Sequence, residues 1–284
     1  MSARRATGRD ARGKNSIRAG AARLAARLRV PMIAVATVLL VGGPLVGASG
    51  VAIAGFALLI AGLALYFRVG TVRAEPVVVH PPVRGRWSAI NSPADKVPSH
   101  GLHAYGQTYG IDFVHVPQGT YELKLGWSLA TRPPADYPGF GKPIVAPADG
   151  TVVRVHDGER DHRSRSSWPG LLLWFAEGVV RELTGPDRIL GNHVVIEIAP
   201  GAYAVVAHLK RRSATVRPGD RVRAGDHIAD CGNSGSSTEP HVHFQVMDRP
   251  RALFAAGLPF RFTGAADESG DSAPLPATGE VIVA

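Results

Sequence analysis

Hydrophobic and polar positions divide the chain into regions of different rhythm. From Val30 to Phe67 no residue is charged. As helix, at about 1.5 Å per residue, that stretch far exceeds the ~30 Å hydrocarbon core of a bilayer. Gly42, Gly43, Pro44, Gly47 and Gly50 interrupt it. The pattern therefore predicts a transmembrane region over 30–67 made of two short helices, 31–47 and 51–67, joined by a tight turn. After residue 101 the apolar beats shorten and alternate over 192–199, 202–209 and 242–246, with a Pro200-Gly201 turn between the first two. Gly219, Gly225 and Gly232 punctuate further short beats at Val216, Val222 and Ile228. Alternation broken by turn residues predicts a mainly β domain with an antiparallel sheet over 101–264. Between the two regions, Pro76, Pro81, Pro82, Pro93 and Pro98 predict a semi-extended linker over 68–100. The small and acidic residues of 265–284 predict a disordered tail.

Charge sharpens this division. Residues 1–29 carry nine basic side chains against Asp10 alone, which accounts for +8 of the formal net charge of +9. The rest of the chain is nearly neutral, so the high pI reports a basic, cytoplasmic N-terminal segment and no nucleic-acid surface. Ser16–Arg29, with Ile17, Leu24 and Leu28 among arginines, reads equally as a basic helix on anionic lipid or as a solvated tail. The single cysteine, Cys231, excludes an intramolecular disulfide and reads as a buried thiol.

The candidate chemistry lies in GNSGSSTEPHVHFQVMD at 232–248. On a strand, His241, His243 and Gln245 share one face while Val242, Phe244 and Val246 share the other. Two imidazoles on one face allow one to bind a metal and the other to move a proton. The same alternation places Ala204, Val206 and His208 on one face of 202–209, bringing a third histidine to a strand end. QTYGID at 107–112 adds a carboxylate, Asp112. His156, His162 and His227 lie in charged turns and read as surface residues.

GIDF at 110–113, GKPIVAPADGTVV at 141–153, AHL at 207–209, the PGD and AGD turns and STEPHVHFQV at 237–246 together resemble the lysostaphin and LytM-type zinc metallopeptidases, peptidase family M23. The resemblance runs from about Gly101 to Phe262 and implies a LytM-like peptidase domain with the duplicated hybrid motif fold. It implies Zn2+ as cofactor, Asp112 and His243 as metal ligands, His208 and His241 as the catalytic pair, and peptidoglycan peptide cross-links as substrate. The chain departs from the pattern at Thr108, where the family has its first zinc histidine. A hydroxyl is a poor zinc ligand and catalytic sites keep three protein ligands, so the third ligand is open among His193, His103, Gln107 and His115. The same departure supports an alternative, a catalytically degenerate domain that binds wall peptides or regulates another wall hydrolase through a partner protein.

The resemblance and the span count disagree about sidedness. The positive-inside rule keeps residues 1–29 in the cytoplasm, and two spans return the domain there. A wall substrate calls for the outer side of the cell membrane, which is slightly favoured. The insertion around 158–190, with LLLWF at 171–175 and VVREL at 179–183, can wall the groove, touch the membrane or pack over the sheet; packing over the sheet is the expected role. LPATG at 275–279 lacks the span and basic residues that a sorting signal needs after it. The PGDRVRAGD segment resembles lipoyl and biotinyl carrier hairpins, but no lysine follows Lys210.

Overall fold

The computed structural model describes residues 2–122, 125–129 and 131–284. In chain order its elements are α1 (Ser2–Leu45), α2 (Ser49–Phe67), β1 (Val77–Val79), β2 (Arg86–Ile90), β3 (Ile111–His115), β4 (Pro143–Val145), β5 (Gly150–His156), α3 (Trp168–Thr184), α4 (Pro186–Leu190), β6 (Asn192–Ala199), β7 (Ala202–Leu209), β8 (Arg221–Val222), β9 (His227–Asp230), β10 (Val242–Met247), β11 (Phe260–Phe262) and β12 (Val281–Val283).

One eight-stranded sheet runs in the order β12-β2-β3-β10-β7-β6-β5-β8. Every pairing in it is antiparallel. β4 pairs with β9 and β1 runs parallel to β11 in two small satellites. The alternation of β10 decides both layers. Val242, Phe244 and Val246 enter a core with Phe113, Trp87 and Phe260, where the Phe244 and Phe260 rings meet edge to face at 4.9 Å. On the opposite face Met247 joins Val205, Ala207, Tyr105 and Leu190.

Two segments expected to lack regular structure supply strands to this sheet and to its β1-β11 satellite. The proline-rich connector contributes β1 and β2, and Trp87 is fully buried with its indole donating to the Arg84 carbonyl at 2.9 Å. Its prolines fall outside the paired residues, at strand ends and turns, where a missing N–H costs no ladder bond. The C-terminal tail adds β12 to the edge of β2. Val281 and Ile282 are buried there, and Ser92 fixes the preceding LPATG segment through Pro276 and Thr278. The tail's composition is dominated by its acidic turn, whereas its order comes from a few apolar residues that cover an otherwise open edge.

α1 and α2 are both long and apolar enough to cross a membrane, over Ala19–Leu45 and Ser49–Phe67. They form an antiparallel hairpin. A Cβ at Gly55 would meet Leu40 N at 2.8 Å, and one at Gly62 would meet Ile33 Cγ1 at 2.8 Å. Small residues thus let the two backbones approach closely. α1 continues beyond the apolar stretch and lays Ala19, Ala22 and Ala26 against the sheet's core, with Arg23 3.5 Å from Asp248. This alanine stripe at helical spacing packs on protein, in place of the lipid surface or solvated tail considered for Ser16–Arg29. The side chains before Ala19 lie outside the described residues.

The end of the 158–190 insertion packs over the sheet as expected, with Ile189 and Leu190 against Val205, Ala207 and Met247, whereas its longest helix stands beside the hairpin. That helix, α3, is capped by Ser167, whose hydroxyl accepts from Gly170 N at 3.1 Å. Glu182 accepts from Tyr66 of α2 and from Tyr105 at 2.5 Å. Arg165 pairs with Glu177 at 2.9 Å. These polar ties hold α3 beside the hairpin and leave Leu172, Phe175 and Val180 exposed.

Candidate active site

The site grows from the pairing of β3 with β10. Asp112 and His243 are register partners, so both side chains leave the same face. Asp112 Oδ1 lies 2.8 Å from His243 Nδ1. His100, from the connector, brings Nε2 to 3.0 Å from Asp112 Oδ2. Among the described residues, one donor atom from each of His100, Asp112 and His243 lies within 4.8 Å of the others.

Outer contacts fix how these groups present themselves. Gln245 donates from Nε2 to the Tyr105 carbonyl at 2.8 Å, which turns its Oε1 toward His243 Nε2 at 2.9 Å. His243 therefore donates from Nε2 and offers the lone pair of Nδ1 to the Asp112 carboxylate. Two acceptors at that distance repel unless a proton or a cation stands between them. Ser99 Oγ contacts His100 Nδ1 at 3.0 Å, and Asn91 donates to Asp112 Oδ2 at 2.8 Å. Burial alone would raise the Asp112 carboxyl. The charge and hydrogen bond of His100, with His243 and His241, instead hold it well below the usual carboxylate range. Burial opposes a charged His243 ring, but the hydrogen bond and charge of Asp112, aided by Gln245, raise its pKa above the ordinary value. Two imidazoles and one ionised carboxylate, each held by a further hydrogen bond, match the donor set of a three-ligand zinc centre with an open fourth position. The residues therefore fit the zinc that the family resemblance implies.

His208 and His241 flank this group, their rings 4.7 Å apart. His241 Nδ1 faces the Glu239 carbonyl at 2.8 Å, and His208 Nδ1 faces the Ser234 carbonyl at 2.9 Å. Both rings donate from Nδ1, so Nε2 is the ring atom left to face other partners. Burial, then the neighbouring His241 and His243, push His208 well below the ordinary histidine pKa. Simple alternation would send His208 to the face of Val206, and the structure corrects that expectation. Asn192 pairs with Leu209 and His193 with Ala207, so His208 is an unpaired bulge residue, and its φ of 61° is left-handed. A non-glycine residue held there is strained, and the bulge turns its ring toward His241.

The other candidates for the third ligand lie elsewhere. His103 Nδ1 is 3.1 Å from Thr108 Oγ1, in a buried site where desolvation, then the charge of Arg29, lowers its pKa to about 4. Thr108 is thus engaged with His103. His193 and His243 both pair with Ala207, from opposite sides, which separates them by two strand spacings, roughly 9–10 Å. His193 turns Nδ1 to the Gly191 carbonyl at 2.7 Å and stacks on His156. His115 packs edge-on against Trp87. Gln107 lines the cavity, but the three-donor group forms without it. His100 was missed because it precedes the predicted domain boundary and stands 12 residues before Asp112, in a segment without periodicity. The only local signal was a histidine next to the turn glycine Gly101.

The donor group opens on a cavity of about 860 Å³. One end holds His100, Asp112, His208, His241 and His243. The other is walled by Ile33, Leu63 and Phe67 of the hairpin and by Leu171, Trp174 and Phe175 of α3.

Residues 174–254 match Peptidase family M23. An uncharacterized metalloprotease of Haemophilus influenzae is 29% identical over 113 residues, 40% of this chain and 18% of the relative. The peptidoglycan DD-endopeptidase ShyC of Vibrio cholerae is 32% identical over 78 residues, 28% of this chain and 18% of the relative. The chain thus spans under a fifth of the length of these curated relatives. The catalytic domain of the antimicrobial peptidase lysostaphin from Staphylococcus simulans aligns at 20% identity over 61% of this chain and 88% of that one, with a TM-score of 0.32. The match to the family runs from within α3 through the strands that carry His208 and His243, and over those residues, inside a mainly antiparallel sheet, the chain is similar to peptidase family M23.

Proposed function

We propose that this chain is a membrane-anchored zinc metallopeptidase that cleaves peptide bonds in peptidoglycan cross-links. His100, Asp112 and His243 would hold the metal, with His208 and His241 as the catalytic pair. The observation that supports this reading is the three-donor group, which offers three candidate ligands without a contribution from Thr108. A zinc ion bound there supplies Lewis-acid activation of water at neutral pH. The side chains around it handle the proton and the charge. His208 and His241 line the cavity with Nδ1 held by carbonyls, so the Nε2 of a neutral ring can take a proton from water. Once protonated, each can donate to the oxygen on which negative charge develops. The carbonyls of Ser234 and Glu239 hold both rings in that tautomer.

α1 and α2 are the proposed anchor. Because they form a hairpin and Ala19–Ala26 pack on the domain, the N-terminal segment and the active site would share one side of the membrane. The positive-inside rule makes that side cytoplasmic, against the outer location expected from a wall substrate. Protease accessibility of the domain in oriented vesicles decides which expectation yields.

The alternative of a degenerate binding or regulatory module rests on Thr108. One experiment separates the two: zinc content and hydrolysis of cross-linked muropeptides by the full-length protein and its His100→Ala variant. Stoichiometric zinc and turnover, both lost in the variant, support the peptidase. An intact protein without zinc sinks it and leaves the module.

A further inference from the structure

The cavity has two unlike ends, and the proposed cutting of peptides uses only one of them. Polar groups line it at the donor histidines and where Glu182 of α3 accepts from Tyr66 and Tyr105. Around that contact the lining is apolar and comes from Ile33, Leu63 and Phe67 on the two candidate spans and from Leu171, Trp174 and Phe175 on α3. A water-soluble peptide gains nothing from such a wall. The mouth points the same way. Phe175 lines the cavity yet is 68% exposed, and Leu172 is 75% exposed on the same helix. Trp127 and Leu129 are similarly bare, and the Trp127 ring lies 6.1 Å from Trp168 at the start of α3. Phe175 shares the cavity lining with Phe67 of α2, and Glu182 ties α3 to α2 through Tyr66. Apolar side chains with tryptophans at the end of a membrane hairpin are the composition of a bilayer interface. Gly178, which also lines the cavity, has nothing within 4 Å of its Cβ position, so the space beside α3 is open.

We infer that the cavity takes an amphiphile from the bilayer: a peptide carried on a lipid chain, with the peptide at the histidines and the chain between α2 and α3. This deepens the proposed peptidase function and rests on it for the polar end alone. The ligand would reach the site along the membrane surface, so a domain held against the bilayer by a short hairpin needs no access to mature wall. The cavity volume lies within the range of sites that bury most of a small ligand, enough for a few residues and part of a chain.

The test uses the full-length protein in nanodiscs of phosphatidylethanolamine and phosphatidylglycerol, with a short alanine-containing peptide that bears a photoactivatable palmitoyl chain. Adducts are expected on Leu171, Trp174, Phe175 and Leu63. Unlabelled palmitoylated peptide should compete at least tenfold better than the same peptide without its chain, or than phosphatidylglycerol. Gly178→Trp, which fills the open space, should cut labelling at least fivefold while zinc content stays unchanged. Equal competition by the bare peptide would overturn the inference by making the chain irrelevant. Equal competition by phosphatidylglycerol would overturn it by reducing the surface to general bilayer contact. Zinc content and labelling of His100→Ala keep the two readings apart. If metal is absent but the competition pattern persists, the peptidase reading fails and the amphiphile site stands.

Discussion

The donors of the candidate site come from two kinds of backbone. Asp112, His243 and Gln245 stand on adjacent strands, where sheet register places them. His100 and Asn91 come from the connector: His100 lies outside any strand, and Asn91 directly follows β2 with a left-handed φ of 51°. Strand donors inherit the rigidity of a packed core, because moving them breaks a hydrogen-bonded row and shifts Phe244 and Val242 on the other face. Connector donors are held by the polar contacts they make, with Ser99 behind His100 and Asp112 in front of Asn91. An irregular segment can therefore bring a donor to the candidate site without disturbing the sheet.

The comparison yields tests of decreasing size. Asp112→Ala or His243→Ala should abolish stoichiometric zinc and lower kcat/KM on muropeptides by about 10³-fold or more, because a centre with two ligands loses several kcal/mol of charge stabilisation. His100→Ala should do the same. Adding Thr108→His to that variant should return part of the zinc if the family position still faces the donors. Failure to regain any would mean that the pairing of Thr108 with His103 has closed that position. Zinc content by mass spectrometry reads both.

The next effect is on stability and lies away from the metal. His103 has a folded pKa lowered to about 4, with Arg29 as the cation beside it. Below about pH 6.5 the unfolded state takes up a proton that the folded state refuses, so stability falls as pH drops from 6.5 towards 4. A shift of this size corresponds to about 3 kcal/mol. The thermal midpoint of the detergent-solubilised protein should drop over that window, and His103→Gln should flatten the drop. An unchanged slope in His103→Gln would assign the acid sensitivity to other groups. The smallest effects belong to the outer contacts. Gln245→Leu frees His243 Nε2, and Asn91→Ala removes a donor to Asp112; each should weaken zinc affinity about 10- to 100-fold. A larger loss for Asn91→Ala than for Gln245→Leu would mean that the connector depends on its polar contacts more heavily than the strands do.

Much of the centre was legible locally. Period-two alternation in HVHFQVM gave the strand, its buried face and the convergence of His243 with Gln245. The turn glycines gave the antiparallel meander, and the uncharged run gave the helix pair. His208 was read onto a strand end, but its facing was misjudged, since alternation carries no sign of a bulge. The proline content of 68–100 hid β2, because composition averages over prolines that lie between strands and the few apolar residues that pair. In the same way the acidic residues of the tail hid β12.

What the sequence by itself determined is the set of elements whose period matches their own burial: β6, β7, β10 and the two apolar helices. Tertiary structure decided which segments fill the edges left open and which side chains complete the centre. β12 covers β2, the bulge at His208 re-aims a ring, and His100 arrives from a connector beyond the expected boundary. Such choices depend on contacts between residues far apart in sequence. Their free energy comes from closing a particular edge or cavity, and no local window of residues contains the partner that makes the closure favourable.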